Sequence, residues 1–176
     1  MRQASNRFQL PAILDNGVYF GVQVANIAYE QEDVPELDIP ALVFRAGYMP
    51  HENFGIEGRL GGGTSADDTD FTFGGQDDAN FEAEIESFAG IYAVGRYNIS
   101  DSFAIYGLAG FTSMAIKTTL QSNSFNGSTT EDESGVSFGA GASWGFSDKF
   151  QFTLEAMSYL DEDEAKAGAV SLGVQF

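Results

Sequence analysis

The sequence predicts an all-β fold, an eight-stranded antiparallel up-and-down transmembrane β-barrel. Its hydrophobic period is two residues, in segments with one apolar face and one face of small or polar residues. Eight such segments follow one another along the chain. Their connections alternate between short turns and longer acidic stretches. This alternation is typical of a sheet with tight turns at one end and loops at the other.

The first predicted strand contains one irregularity. Val18, Phe20, Val22 and Val24 alternate regularly, but Asn26 follows on the same face, so we expect a β-bulge near Ala25. The eight predicted strands span residues 18–29, 41–49, 54–63, 81–97, 103–117, 135–146, 150–159 and 167–176. The predicted turns are 50–53, 98–102 and 147–149, and the predicted acidic loops are 30–40, 64–80, 118–134 and 160–166.

Segment 135–146 shows the two faces most clearly. Its odd positions are all Gly or Ser, and its even positions are Val136, Phe138, Ala140, Ala142, Trp144 and Phe146. Gly and Ser suit the crowded interior of a narrow barrel better than a solvated exterior. We therefore expect the apolar faces to contact lipid. The rival fold is a soluble ligand-binding barrel of the lipocalin kind, which requires these faces to point inward.

Seven charged residues lie opposite the apolar faces, with nearly balanced signs. They are Arg45, Glu57, Arg59, Glu84, Glu86, Arg96 and Glu155. Because buried carboxylates need cationic partners to stay ionised, we expect an internal ion-pair network that plugs the lumen. The alternatives are a narrow or gated ion path and an acid–base pair of the glycosidase kind.

Length and composition exclude several classes of protein. A chain of 176 residues is one domain, in which we assign residues 17–176 to the barrel and 1–16 to an N-terminal segment. The longest uncharged run has 15 residues, too few for a membrane-spanning helix. A net charge of −18 disfavours nucleic acid, and the absence of cysteine excludes disulfides and thiolate chemistry. The N-terminus lacks a signal-peptide pattern, so we expect a mature form with an added Met, or a cytoplasmic protein.

His51 is the only histidine, and it lies in a predicted short turn, opposite the acidic loops. A serine–histidine pair facing the loop end cannot be assembled from that position. We therefore predict that the protein is not an enzyme, with no catalytic residues. A lipid-modifying enzyme is the disfavoured alternative.

The predicted loops contain 17 of the 26 acidic residues. The simplest interpretation is a solvated acidic surface, which would also suit a salty habitat. The alternative is binding of Ca²⁺, whose preferred ligands are clustered oxygens. The candidate ligands are Asp67, Asp68, Asp70, Asp77 and Asp78. We otherwise expect no cofactor.

Two stretches carry a family resemblance. The chain resembles the small eight-stranded outer-membrane β-barrels of Gram-negative bacteria, the OmpA/OmpX-like group, in RYNISDSFAIYGLAGF at residues 96–111 and in SLGVQF at residues 171–176. The first is similar to the family's turn between its fourth and fifth strands. The second is similar to its terminal assembly signal, which ends here at Phe176.

The resemblance implies a multi-pass barrel in the cell outer membrane, with loops extracellular and both termini periplasmic, including segment 1–16. It implies contact with outer-membrane lipid and lipopolysaccharide, insertion by the barrel-insertion machinery, and a monomer. We predict a structural or interaction barrel with a plugged polar lumen. The alternative function is a small pore or channel for ions or hydrophobic molecules.

Overall fold

The computed structural model describes residues 17–30, 37–64, 67–73, 77–122, 125–147, 150–160 and 166–176. At the strand ends near the loops it describes the backbone alone. The predicted N-terminal segment 1–16 lies outside the described residues. No helix in the described part of the chain is long and apolar enough to cross a membrane.

All described strands pair in antiparallel fashion and close into one barrel. They are β1 (Val18–Glu30), β2 (Leu37–His51), β3 (Phe54–Gly63), β4 (Asp67–Phe73), β5 (Asp77–Asn98), β6 (Phe103–Ser122), β7 (Phe125–Gly145), β8 (Gln151–Leu160) and β9 (Lys166–Gln175). Successive strands are neighbours, β1 pairs with β9, and both β3 and β4 pair with β5. Because β3 and β4 occupy one position in the wall, the barrel has eight strands, and the predicted fold class is confirmed.

The side chains alternate as predicted, with the apolar face outward. On β2, Phe44 is 55% exposed and Arg45 is 4% exposed, and on β3, Leu60 is 66% exposed and Glu57 is 1% exposed. An apolar exterior around a charged interior is the inverse of a soluble barrel. The lipocalin-like alternative is therefore wrong.

The phase irregularity lies in a different strand from the one we predicted. The pairing of β1 with β2 and β9 runs without a register shift, so no bulge occurs near Ala25. Asn26 is exposed, and Ile27 packs in the interior with Ile39. A register shift lies instead in β5 between Ile85 and Ser87, where Glu86 is the extra residue, and a second one lies at the tight turn of β2 and β3, between Tyr48 and His51.

Strands replace much of the predicted loops at the far end of the barrel. The predicted loop 64–80 contains β4 and the start of β5, which pair from Asp67↔Ala83 to Phe73↔Asp77. The predicted loop 118–134 is largely the β6–β7 hairpin, paired as far as Ser122↔Phe125. Polar, Thr-rich and Gly-containing sequence resembles a loop, but these residues form strands because each has a backbone partner across the hairpin.

The start of β1 and the end of β9 both lie at the tight-turn end of the barrel, near aromatic side chains. The N–H of Met49 donates to the carbonyl of Gly17, and Phe20 and Phe176 exchange two backbone hydrogen bonds of 2.8 Å each. The Phe176 ring lies 6.5 Å from that of Phe20 and 6.2 Å from that of Phe150. Aromatic rings at this level are typical of the girdle where a barrel meets the membrane interface.

Candidate functional site in the barrel lumen

Four charged side chains meet in the middle of the lumen, from three strands. Arg45 comes from β2, Glu57 and Arg59 from β3, and Glu155 from β8. Each points inward because it occupies the odd position of an alternating strand, opposite apolar outward residues. All four are at most 4% exposed. Because two are arginines and two are glutamates, the group carries no net charge.

The four groups form a closed ring of alternating charge, which we call the charge quartet. Glu57 accepts from Arg45 Nε at 2.8 Å and from Arg59 Nε at 2.7 Å. Glu155 accepts from both terminal nitrogens of Arg59, at 2.5 and 2.8 Å. Arg45 Nη1 lies 3.8 Å from Glu155 and completes the ring. The bidentate Arg59–Glu155 contact fixes both planes.

Tyrosines surround the charge quartet. The hydroxyl of Tyr19 donates to Glu57 at 2.6 Å, and that of Tyr106 donates to Glu155 at 3.0 Å. The guanidinium of Arg59 lies 4.9 Å from the centre of the Tyr92 ring, within the range of a cation–π contact. Glycines make room for these rings, since a Cβ at Gly47 would overlap Tyr19 and one at Gly141 would overlap Tyr106.

The sequence reasoning missed these tyrosines. Tyr19 alternates with Phe20 and lies on the inward face of β1, and Tyr106 alternates with Ile105 on β6. Their positions were therefore a usable signal, because a phenol on a lumen face has few partners other than a carboxylate. A hydroxyl chain was also missed: Tyr92 and Thr112 share a hydrogen bond of 2.6 Å, and Thr112 and Ser137 share one of 2.5 Å.

Glu84 and Glu86 do not join the network, contrary to our prediction. Glu86 is exposed, with its carboxylate 3.7 Å from the ammonium of Lys117, and Glu84 is half-buried. The cause is the bulge at Glu86, which inverts the side-chain alternation in the upper part of β5. From Phe88 to Arg96 the even-numbered side chains point inward. On the other side of the bulge the odd-numbered Ile85 points inward instead.

Arg96 is inside the barrel as predicted, but the described residues give it no carboxylate partner. Its Nη2 donates to Gln151 Oε1 at 3.1 Å and weakly to Ser143 Oγ at 3.4 Å. It lies nearer the turn end than the charge quartet, two residue pairs from the last pair of the β5–β6 ladder, Asn98↔Ala104. The predicted network therefore divides into a neutral quartet and a separate arginine.

Buried apolar side chains pack together in the lumen on the loop side of the charge quartet. They include Ile27, Ile39, Ile85, Phe88, Met157 and Tyr159. Phe88 and Tyr159 meet edge to face with ring centres 5.9 Å apart. The interior therefore has an apolar layer above the charges, which the prediction of a polar lumen did not include.

The remaining predicted groups do not form a described reactive site. His51 lies at the turn end, where its Nδ1 accepts from the Asn53 N–H at 3.2 Å and its ring contacts Phe54. The side chains of Asp67, Asp68, Asp70, Asp77 and Asp78 lie outside the described residues. Among the side chains that the structure does describe, no group of three His, Asp or Glu is arranged to hold a metal ion.

The carboxylates of the charge quartet are poorly suited to general acid–base work. Glu57 is held by two arginines and Tyr19, and Glu155 by Arg59 and Tyr106. Both carboxylates are buried and already accept several hydrogen bonds, so neither is free to contact a substrate. The arrangement is suited to filling the lumen and holding the strands together.

The chain matches a family model, the outer membrane protein beta-barrel domain, over residues 4–176. No curated protein sequence matches the chain. Among solved structures, the attachment invasion locus protein Ail of Yersinia pestis is similar at 16% identity, with 92% of this chain and 99% of that chain covered and a TM-score of 0.63.

Two further structures share this fold. Neisserial surface protein A is similar at 12% identity, covering 90% of this chain and 96% of that chain, with a TM-score of 0.60. The outer membrane protein OprG of Pseudomonas aeruginosa is similar at 13% identity, covering 96% and 98%, with a TM-score of 0.55. The family model covers nearly the whole chain, and the closed barrel with its apolar outer surface is consistent with it. The chain belongs to the outer membrane protein beta-barrel domain family.

Proposed function

We propose that this protein is a non-enzymatic interaction barrel of the outer membrane, which displays an acidic β-sheet at the cell surface. One observation carries the proposal: β5, β6 and β7 have 22, 20 and 21 residues, whereas β3, β8 and β9 have 10 each. A strand needs roughly 9–11 residues to span the hydrocarbon core. The long strands therefore extend well beyond the membrane on the loop side.

The extended part forms a sheet with an open edge, which we call the protruding sheet. It consists of β4 and the loop-side halves of β5, β6 and β7. One side of β7 pairs with β6 along its whole length. Its other side pairs with β8 only from Val136 onward, so no described strand pairs with that side over residues 125–132. An unpaired edge can accept an added strand, and we propose that it contacts an external partner.

The charge of the protruding sheet favours a cationic partner. Glu131 and Asp132 are exposed on β7, and the whole chain carries a net charge of −18. The Ail of Yersinia pestis has been solved in complex with the heparin analogue sucrose octasulfate, at 17% identity to this chain. A polyanion of that kind would be repelled by the acidic surface here, so we propose a basic protein segment, or lipopolysaccharide bridged by cations.

The proposed orientation places the protruding sheet outside the cell and both termini in the periplasm. The chain has no cysteine, so single cysteines can report exposure. Ser128→Cys, on the exposed tip side of β7, should react with a membrane-impermeant maleimide on intact cells. Asp101→Cys, in an exposed tight turn, should react only after the outer membrane is permeabilised. The reverse labelling pattern would contradict the orientation.

We also propose that the lumen does not conduct ions. The charge quartet and the apolar layer above it leave side chains across the interior at successive levels. The purified protein in a planar bilayer should show no conductance steps above those of a protein-free bilayer. Discrete, reproducible steps that disappear with heat-denatured protein would instead support the small-pore alternative.

Calcium remains a proposed ligand of the β4–β5 hairpin. The register places Asp70 opposite Asn80 and Asp78 opposite Thr72, so Asp70 and Asp78 are diagonal neighbours on paired strands. Millimolar Ca²⁺ should shift amide signals of residues 64–80 in the folded protein, since flexible oxygen ligands suit Ca²⁺ better than Mg²⁺. An equal response to sodium at the same ionic strength would leave only a solvated acidic surface.

Assembly is proposed to begin at the C-terminal strand, with Phe176 as the residue read by the barrel-insertion machinery. The support is its position at the last paired residue of the seam between β1 and β9, exposed on the outer face. The strands of the membrane-spanning part are paired on both sides all round the barrel, so that part offers no edge to a second copy, and we propose a monomer.

A further inference from the structure

Arg96 is a buried cation that the described residues do not neutralise. It is 8% exposed, and its described hydrogen-bond partners, Gln151 and Ser143, are both uncharged. The charge quartet offers it no spare carboxylate, because its two glutamates are balanced by Arg45 and Arg59. A guanidinium does not lose its proton in proteins, so its burial is costly unless a counter-charge lies nearby.

Within the described part of the chain, five buried side-chain atoms lack a hydrogen-bond partner; one, Arg45 Nη1, belongs to the charge quartet, and the other four lie outside it. These four are Arg96 Nε, Gln151 Nε2, Gln23 Nε2 and Thr153 Oγ1. The amide of Gln151 is oriented by Arg96, because its oxygen accepts from a group that can only donate. Its NH₂ is therefore the end left unsatisfied.

These atoms come from adjoining positions on the inner wall. Gln151 and Thr153 are two residues apart on β8 and point inward together. Gln23 and Thr153 both pair across to Gly173, and a Cβ built there would lie 2.9 Å from Thr153 Oγ1 and 2.5 Å from Gln23 Cγ. Three of the four atoms can only donate, and the threonine hydroxyl can also donate.

We propose that the turn-side lumen holds a small monovalent anion, of which chloride is the natural representative, bound between Arg96 and the amides of Gln151 and Gln23. An anion accepts from every unsatisfied donor and balances the unpaired guanidinium. Among the four atoms only Thr153 Oγ1 could accept from a water molecule, and a water molecule would leave the guanidinium charge unbalanced. The crowding around Gly173 favours a monatomic ion over sulfate, phosphate or an organic acid.

The ion enters from the turn side. The loop side of the lumen contains the apolar layer, which excludes a free anion. Arg96 lies next to the tight-turn end, where its backbone exchanges hydrogen bonds with Asn53 at 2.8 and 3.0 Å.

Bromide replaces chloride and can be located directly. Crystals of the detergent-solubilised protein grown in sodium bromide should show an anomalous peak beside Arg96 and Gln151. In solution, the unfolding midpoint should rise and saturate when sodium gluconate is replaced by sodium chloride at constant ionic strength. Absence of the anomalous peak, together with equal midpoints in the two salts, would overturn the proposal and leave water as the occupant.

Two variants and a control separate ion binding from general salt effects. Arg96→Gln should abolish both the bromide peak and the chloride-dependent shift. Lys117→Gln removes a cation from the exposed outer surface and should keep both. Gln151→Glu places a carboxylate at the atom that already contacts Arg96, so the folded protein should lose its response to chloride and become more stable in gluconate. A Gln151→Glu protein that responds to chloride as the parent does would contradict the site even if Arg96→Gln fails to fold.

Discussion

Replacing Glu155 by Gln should destabilise the barrel by about 3–5 kcal/mol, the range for leaving one member of a buried ion pair without its partner. The change keeps the size of the side chain and removes its charge. Arg59 donates to both Glu155 oxygens in the parent. In the variant it stays buried, and the only carboxylate left in the charge quartet is Glu57, which also pairs with Arg45. Denaturant unfolding in detergent or lipid vesicles measures the loss, with Trp144, the only tryptophan and a lipid-facing residue, as fluorescent reporter.

The control is Glu86→Gln, the same chemical change at a glutamate that the sequence also placed in the lumen. Glu86 is exposed and its contact with Lys117 is partly solvated, so this variant should change stability by less than about 1 kcal/mol. Equal losses in the two variants would mean that the bulge in β5 does not turn Glu86 outward.

The double variant Arg59→Met with Glu155→Leu tests whether the loss comes from the unpaired charge. It removes both members of the bidentate pair and leaves Arg45 balanced by Glu57. Buried ion pairs replaced by apolar side chains of similar volume are often neutral in stability. The double variant should therefore be more stable than Glu155→Gln alone, and a further loss would argue that packing geometry, not charge, dominates.

Strand phase explains why most of the site was predictable from the sequence. Arg45, Glu57, Arg59 and Glu155 each lie in a segment whose alternation is unbroken, so their face follows from counting by two. Which arginine meets which glutamate depends on the register around the closed barrel. That register is set by pairings between β2, β3 and β8 and their neighbours, which no local pattern encodes.

The errors occurred where the phase or the strand end is decided by a partner strand. Glu86 is polar and even-numbered like Arg96, and only the shift against Ile116 and Ala115 on β6 reveals that it is the bulged residue. Asn26 suggested a bulge in β1, but the neighbouring β2 and β9 hold that strand in regular register. Similarly, the polar residues after Lys117 read as a loop, because the stabilising pairs across the β6–β7 hairpin are not visible in one strand.

Placing arginine at Ala140 should cost about 2–4 kcal/mol, the measured scale for a cation on the lipid face at the bilayer midplane. Ala140 is exposed on the outer face of β7, and its partner Ala156 lies in the middle of the ten-residue strand β8. Arginine in place of Thr64, which is exposed at the loop end, should cost less than about 1 kcal/mol.

The two variants carry the same side chain and differ in depth along the barrel. The free energies of unfolding measured in lipid vesicles should therefore differ between the two variants. The difference should be smaller in detergent micelles whose apolar layer is thinner than the bilayer core. The backbone N–H of Thr64 donates to the carbonyl of Pro40 at 2.8 Å and stays in place in the variant, which loses only the exposed hydrogen bond of 3.2 Å from Thr64 Oγ1 to the same carbonyl. Equal costs at Ala140 and Thr64 in vesicles would mean that the exposed apolar face of β7 is not in contact with the bilayer core.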